Sequence, residues 1–98
     1  MIQTLSTQRL RMFSVKVGEV TIAEKTFEIL RSKNSIVDQY YVVIAWRDLP
    51  PHARIAPLAH LRKSQTGLNV IAWQPEEHSV REEDLDLVLS TIIGLESY

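Results

Sequence analysis

The sequence predicts an α+β fold, a small mixed β-sheet of three or four strands with a C-terminal helix packed on one face. Three observations predict it. The tetrapeptide Val-Ile-Ala-Trp occurs twice, at residues 43–46 and 70–73, and each copy is apolar on both faces of an extended chain, as in strands covered from two sides. A capping box, Ser79-Val-Arg-Glu82, opens a stretch in which Leu85, Val88, Leu89 and Ile92 recur at helical spacing. Finally, 98 residues with 45% hydrophobic and 23% charged side chains are enough for one core and too few for two, so residues 1–98 are read as a single domain.

Taken in chain order, residues Leu10 to Val17 alternate, with Arg11, Phe13, Val15 and Val17 on one side, and this suits a strand near a sheet edge. Two readings compete for the next segment. Thr21-Ile-Ala-Glu24 is a capping box that predicts a helix to about Ser32, with Ile22, Ala23, Phe27 and Leu30 as its apolar stripe. Gly18-Glu19 between Val17 and Val20 instead allows a hairpin turn, which makes residues 20–30 a strand. The helix is the preferred reading.

Lys33-Asn34-Ser35 is a turn cluster, and the first central strand runs from Tyr40 to Trp46. The connector that follows, Arg47 to Gly67, opens on Leu49-Pro50-Pro51. Its proline at 57 and glycine at 67 frame a short helix from Pro57 to Gln65. Strand, helix and second apolar strand compose a βαβ unit with a right-handed crossover, and an antiparallel arrangement with a long loop is the competing one. The last helix carries Glu82, Glu83 and Asp84 at its start, where the helix dipole favours acids, and has Gly94 near its end.

Composition narrows the function classes. With no cysteine, the chain has no disulfides, thiol catalysis or cysteine-ligated metal. No stretch is long and apolar enough to cross a bilayer, and residues 1–8 lack a signal-peptide core, so a cytoplasmic protein is expected. The net charge of −1 is unevenly spread: residues 1–75 hold ten basic and five acidic side chains, residues 76–98 one arginine and seven acids. That acidic end reads either as a solvated face that complements the chain's own basic positions or as a docking surface for a basic partner. Arg54, Arg62 and Lys63 form the only acid-free basic stretch, and three charges without interleaved aromatics argue against nucleic acid.

No phosphate-cradling glycine loop, nucleophile elbow or metalloprotease histidine pair is present, so no catalytic residue, metal or cofactor is expected. If the two repeats are neighbouring parallel strands, the loops leaving them lie side by side. Asp48 and His52 then face Glu77 and His78 across the sheet edge where open α/β sheets bind ligands. Alternation also puts Ile44 with Trp46, and Ile71 with Trp73, on one face, which a single C-terminal helix leaves short of cover. The expected function is therefore that of a small non-enzymatic interaction or regulatory protein acting as a homodimer through Ile44, Trp46, Ile71 and Trp73. A small-molecule-binding domain or minor enzyme using Asp48, His52, Glu77 and His78 is the alternative.

Overall fold

The computed structural model describes residues 7–32, 36–45, 47 and 55–96, and for residues 7–9 the backbone only. Its centre is a five-stranded antiparallel meander: β1 (Ser14–Ile22), β2 (Lys25–Ser32), β3 (Gln39–Ile44), β4 (Ala59–Ser64) and β5 (Gly67–Trp73), hydrogen-bonded in that order. A short helix, α1 (Thr7–Met12), precedes it, and a 12-residue helix, α2 (Leu85–Glu96), follows two single-turn 3-10 segments, Glu76–His78 and Glu82–Asp84. The α+β class and the C-terminal helix stand as expected. The sheet is wholly antiparallel and has five strands, not a mixed three or four.

The extra strands come from segments whose local helix signals lose to sheet packing. Residues 25–32 are β2, not a helix: Phe27 and Ile29, two apart, both point into the main core, while Glu28 and Leu30 point to the other face. The hairpin exists, but its turn is Ala23-Glu24, five residues beyond the predicted Gly18-Glu19. Both turn residues have positive φ, 53° and 66°, the combination of a type I′ turn, normally signalled by Asn or Gly. Gly18 serves a different purpose within β1, where an added Cβ would lie 2.6 Å from Leu95 Cδ1 of α2. A larger residue there has to displace the Leu95 side chain.

Residues 59–64, inside the predicted helix from Pro57 to Gln65, form β4, so no βαβ crossover exists. The two Val-Ile-Ala-Trp copies end β3 and β5, strands that run the same way with β4 between them; they are not neighbours. The predicted strand from Leu10 is α1 up to Met12 and β1 only from Ser14. From α1, Leu10 packs against Leu30 and Val43. Trp46, Asp48, His52 and the Lys33-Asn34-Ser35 cluster lie outside the described residues.

Each face of the sheet has its own cover. The main core joins Val20, Ile22, Phe27, Ile29, Tyr40, Val42, Ile44, Leu58 and Leu61 with Val80, Val88 and Ile92 of the C-terminal segment. α2 is held at its start by Asp84, whose carboxylate accepts the Arg81 backbone N–H at 3.2 Å. On the opposite face α1 covers only the middle of the sheet, and charge fills in around it. Arg11 pairs with Glu28 and donates to the Ile44 carbonyl at 2.7 Å, and Lys16 reaches Glu28 at 3.2 Å and Glu19 at 2.5 Å. Burial pushes the Glu28 carboxyl up, and the bonds from Arg11 and Lys16 outweigh it and hold it below the usual carboxylate range.

Two predictions follow from this packing. Truncating Ile92, fully buried against the sheet, to alanine lowers unfolding free energy by about 2–5 kcal/mol, read as a lower urea midpoint at unchanged slope. Replacing the strained turn, Ala23→Asn with Glu24→Gly, raises unfolding free energy by about 1–2 kcal/mol, read as a higher urea midpoint, because both residues sit in the left-handed region at exposed positions.

Candidate functional site

The end of β5 builds a groove. The strand carries a bulge at Ile71, since Ala72 pairs with His60 and Val70 with Leu61, leaving Ile71 without a partner on the ladder. Past the bulge Trp73 returns to the core face opposite Ala59. The Gln74 backbone N–H donates to the Leu58 carbonyl at 2.9 Å, which ties the strand end down. Pro75 then starts a 3-10 turn, closed by Ser79 in the left-handed region at φ 55°. This tight reversal folds residues 73–82 around a cavity of about 440 Å³, lined by Trp73, Gln74, Pro75, Glu76, Glu77, Val80 and Glu82.

The lining combines aromatic and aliphatic side chains with three glutamates. With its amide oriented to donate, the Gln74 nitrogen lies 3.0 and 3.2 Å from the two Glu77 carboxylate oxygens and holds that side chain in place. Among the described residues no cation pairs with Glu76, Glu77 or Glu82: Arg81 turns to Glu83 and Asp84, and the Lys25 ammonium donates to the His78 carbonyl at 2.7 Å. Trp73 is partly buried, and its Nε1–H is buried without an acceptor among the described residues.

A second, smaller groove of about 180 Å³, between β1 and the end of α2, is electrically different. Its charges, Arg31 with Asp38 and Lys63 with Glu96, pair at 2.8 and 2.6 Å and neutralise each other.

The residues singled out from sequence fare unequally. Glu77 lines the groove. His78, its neighbour, faces the other way and is 4% exposed. Its Nε2–H donates to the Ala56 carbonyl at 2.8 Å, and its ring meets Phe27 edge-on at 5.6 Å. It is a structural residue that pins the 3-10 turn to the core. His60 lies in β4, stacked on Tyr41 at 4.4 Å, with Nε2 2.7 Å from Gln39 Oε1. Ile44 is 7% exposed and Trp73 is partly buried against the same core, so at these two positions the face expected to lack cover is covered within the chain. Ile71 alone of the described interface candidates is open to solvent.

Among the described residues no three His, Asp or Glu side chains gather as metal ligands. Comparison of the chain with protein-family models, with curated protein sequences and with solved structures returns no match.

Trp73, Val80 and Glu82 are the site residues that sequence reasoning did not assign to a groove. Trp73 read as an interface residue, and Val80 and Glu82 as part of a helix capping box. The signal that links them is the Pro75-to-Ser79 reversal, which depends on a left-handed serine that no sequence rule announces.

Burial above all depresses the His78 imidazole below its ordinary value of 6.5, against an opposing effect of its bond to Ala56. His60 is shifted the same way, first by burial and then by Arg62. The unfolded chain therefore takes up these protons at higher pH than the folded one. Their share of stability is complete above about pH 6.5 and is lost as pH falls through that value. His78→Gln should lower stability at pH 8 and make the decline between about pH 6.5 and 5 shallower, as measured by urea midpoints across pH.

Proposed function

We propose that this protein is a small non-enzymatic interaction protein that acts as a homodimer. The observation that carries the reading is a strip of exposed apolar side chains at the open edge of the sheet. Met12, Phe13, Val15 and Val17 are 73, 53, 47 and 36% exposed along the α1 end and β1. Runs of this kind on a soluble domain mark contact surfaces more often than solvent-facing ones.

The edge itself suits a second copy. β1 has a strand neighbour on one side only, so its outer backbone groups are available for pairing. A two-fold antiparallel pairing about Val17 and Gly18 brings Lys16 opposite Glu19 of the partner subunit, a self-complementary arrangement of the kind closed dimers require. The bulge that leaves Val17 unpaired against β2 also keeps Lys16 and Glu19 on the same face. On the other face, Ile44 is buried and Trp73 partly buried against the main core, and Ile71 is exposed.

Nothing in the arrangement supports a catalytic role for His78, whose ring nitrogen is committed to Ala56. The reading predicts twice the chain mass in light scattering after size exclusion. Phe13→Glu combined with Val15→Glu, both at exposed positions, should give a folded protein of single-chain mass. A wild-type monomer at all concentrations, or a double variant that stays dimeric, overturns it.

A further inference from the structure

We infer that the smaller groove, between β1 and the end of α2, is a binding site for a small zwitterion, an α-amino acid with a short aliphatic side chain. The inference does not rest on the dimer, since of the seven side chains that line this groove only Val17 belongs to β1. Three observations carry it.

The first is a buried hydroxyl without a partner. Tyr40 is 4% exposed and belongs to the main core, yet it also lines the groove. Its phenol lies in the field of four charged side chains, Glu96, Arg31, Asp38 and Lys63, and all four line this same groove. The phenol of the next residue, Tyr41, on the other face of the sheet, feels only Arg62. The Tyr40 hydroxyl is thus aimed into the groove, where it makes no hydrogen bond among the described residues. Buried hydroxyls are ordinarily satisfied in native proteins. Burial above all, with Glu96 next, raises this phenol above its ordinary value of 10.0, so at neutral pH it keeps its proton and has it to donate.

The second is charge that is balanced but not used up. Arg31 gives both Nε–H and Nη2–H to one oxygen of Asp38, at 3.3 and 2.8 Å, and the Lys63 ammonium meets one oxygen of Glu96 at 2.6 Å. Each pair leaves a second carboxylate oxygen and further N–H donors outside it. Two cations and two acids sum to zero, so a ligand of one charge is repelled by two of the four side chains as it is drawn to the others. A ligand that carries both charges gains from all of them. Its carboxylate takes the Tyr40 O–H with donors of Arg31 and Lys63, and its ammonium takes the spare oxygens of Asp38 and Glu96.

The third is size and wall. The groove of about 180 Å³ holds about six waters, or a molecule of about six non-hydrogen atoms, the size of alanine. Its remaining lining, Val17 and Leu95, is aliphatic, and Leu95 lies over Gly18. Such a wall takes a methyl or a similarly short apolar group and offers nothing to a polar side chain.

The test is a titration of the full chain followed by NMR on the Arg31 Nε–H signal and the Tyr40 ring signals, the latter assigned with Tyr40→Phe. The probes, at matched ionic strength, are L-alanine, L-alaninamide, which keeps only the ammonium, N-acetyl-L-alanine, which keeps only the carboxylate, and L-phenylalanine, which is too large. L-Alanine should shift both sets of signals saturably and bind about fivefold or more tightly than each of the other three. Tyr40→Phe keeps the buried ring and removes only its oxygen. This variant should keep the wild-type spectrum away from the groove and bind alanine about fivefold more weakly or worse, read on Arg31. No saturation by about 50 mM alanine, equal binding of either single-charge probe, or full affinity in Tyr40→Phe overturns the proposal. Equal binding of L-phenylalanine overturns the assignment to a short side chain.

Discussion

The structure depends on one apolar stripe that crosses the sheet: Val20, Phe27 and Ile29, Val42, and Leu61, all on the face that receives Val88 and Ile92. A single 12-residue helix is the principal cover for that stripe. Every strand must therefore present its apolar side chains in the same direction, and a slip of one residue in any of them turns its contribution to the wrong face. The two bulges, at Val17 in β1 and Ile71 in β5, meet this demand: each re-phases a strand that would otherwise run out of register with its neighbour. They occur on the two edge strands, where an unpaired residue leaves the central ladders intact.

The opposite face shows how a short chain manages a second surface. Six residues of α1 can bury Leu10 against Leu30 and Val43 and little more. Around that contact the sheet is polar but tightly paired. Glu28 takes Arg11 and Lys16 together, Tyr41 and His60 stack, and Gln39 closes on His60. Buried ionic contacts of this sort add less net stability than the apolar face, because desolvation offsets much of their attraction. They do fix where α1 sits, since Arg11 is bonded both to Glu28 and to the Ile44 carbonyl.

The sequence was legible where one physical signal acted alone. The C-terminal helix combined a periodic apolar face with an acidic first turn, and Val88 and Ile92 are the buried residues that its period implied. The β3 strand was equally clear. Where local and non-local signals competed, the local one misled. Thr21 and Glu24 have the spacing of a capping box, yet Ile22, Phe27 and Ile29 gain more from the sheet than a helix offers. Pro57 and Gly67 resemble helix punctuation, yet Ala59 and Leu61 alternate into the same core. The repeated Val-Ile-Ala-Trp identified two strand ends correctly and their adjacency wrongly, because composition carries no information on the strand that intervenes. For the site, Glu77 could be placed in the correct loop, but nothing in the sequence turned His78 inward and left Glu77 outside.

That inward turn explains why the groove exists. His78 occupies a core position that an aliphatic residue could fill, but it also binds the Ala56 carbonyl and leaves its own carbonyl to Lys25. Two segments distant in sequence thereby hold one residue of the 3-10 turn. With His78 anchored and Val80 buried two residues later, the chain between Trp73 and Glu82 has no freedom to collapse onto the sheet. Its glutamates are left exposed along the rim of the groove that Trp73 also lines. The Lys25 ammonium bonds that same His78 carbonyl, so the contact that fixes the turn from β2 runs to its backbone and not to its carboxylates.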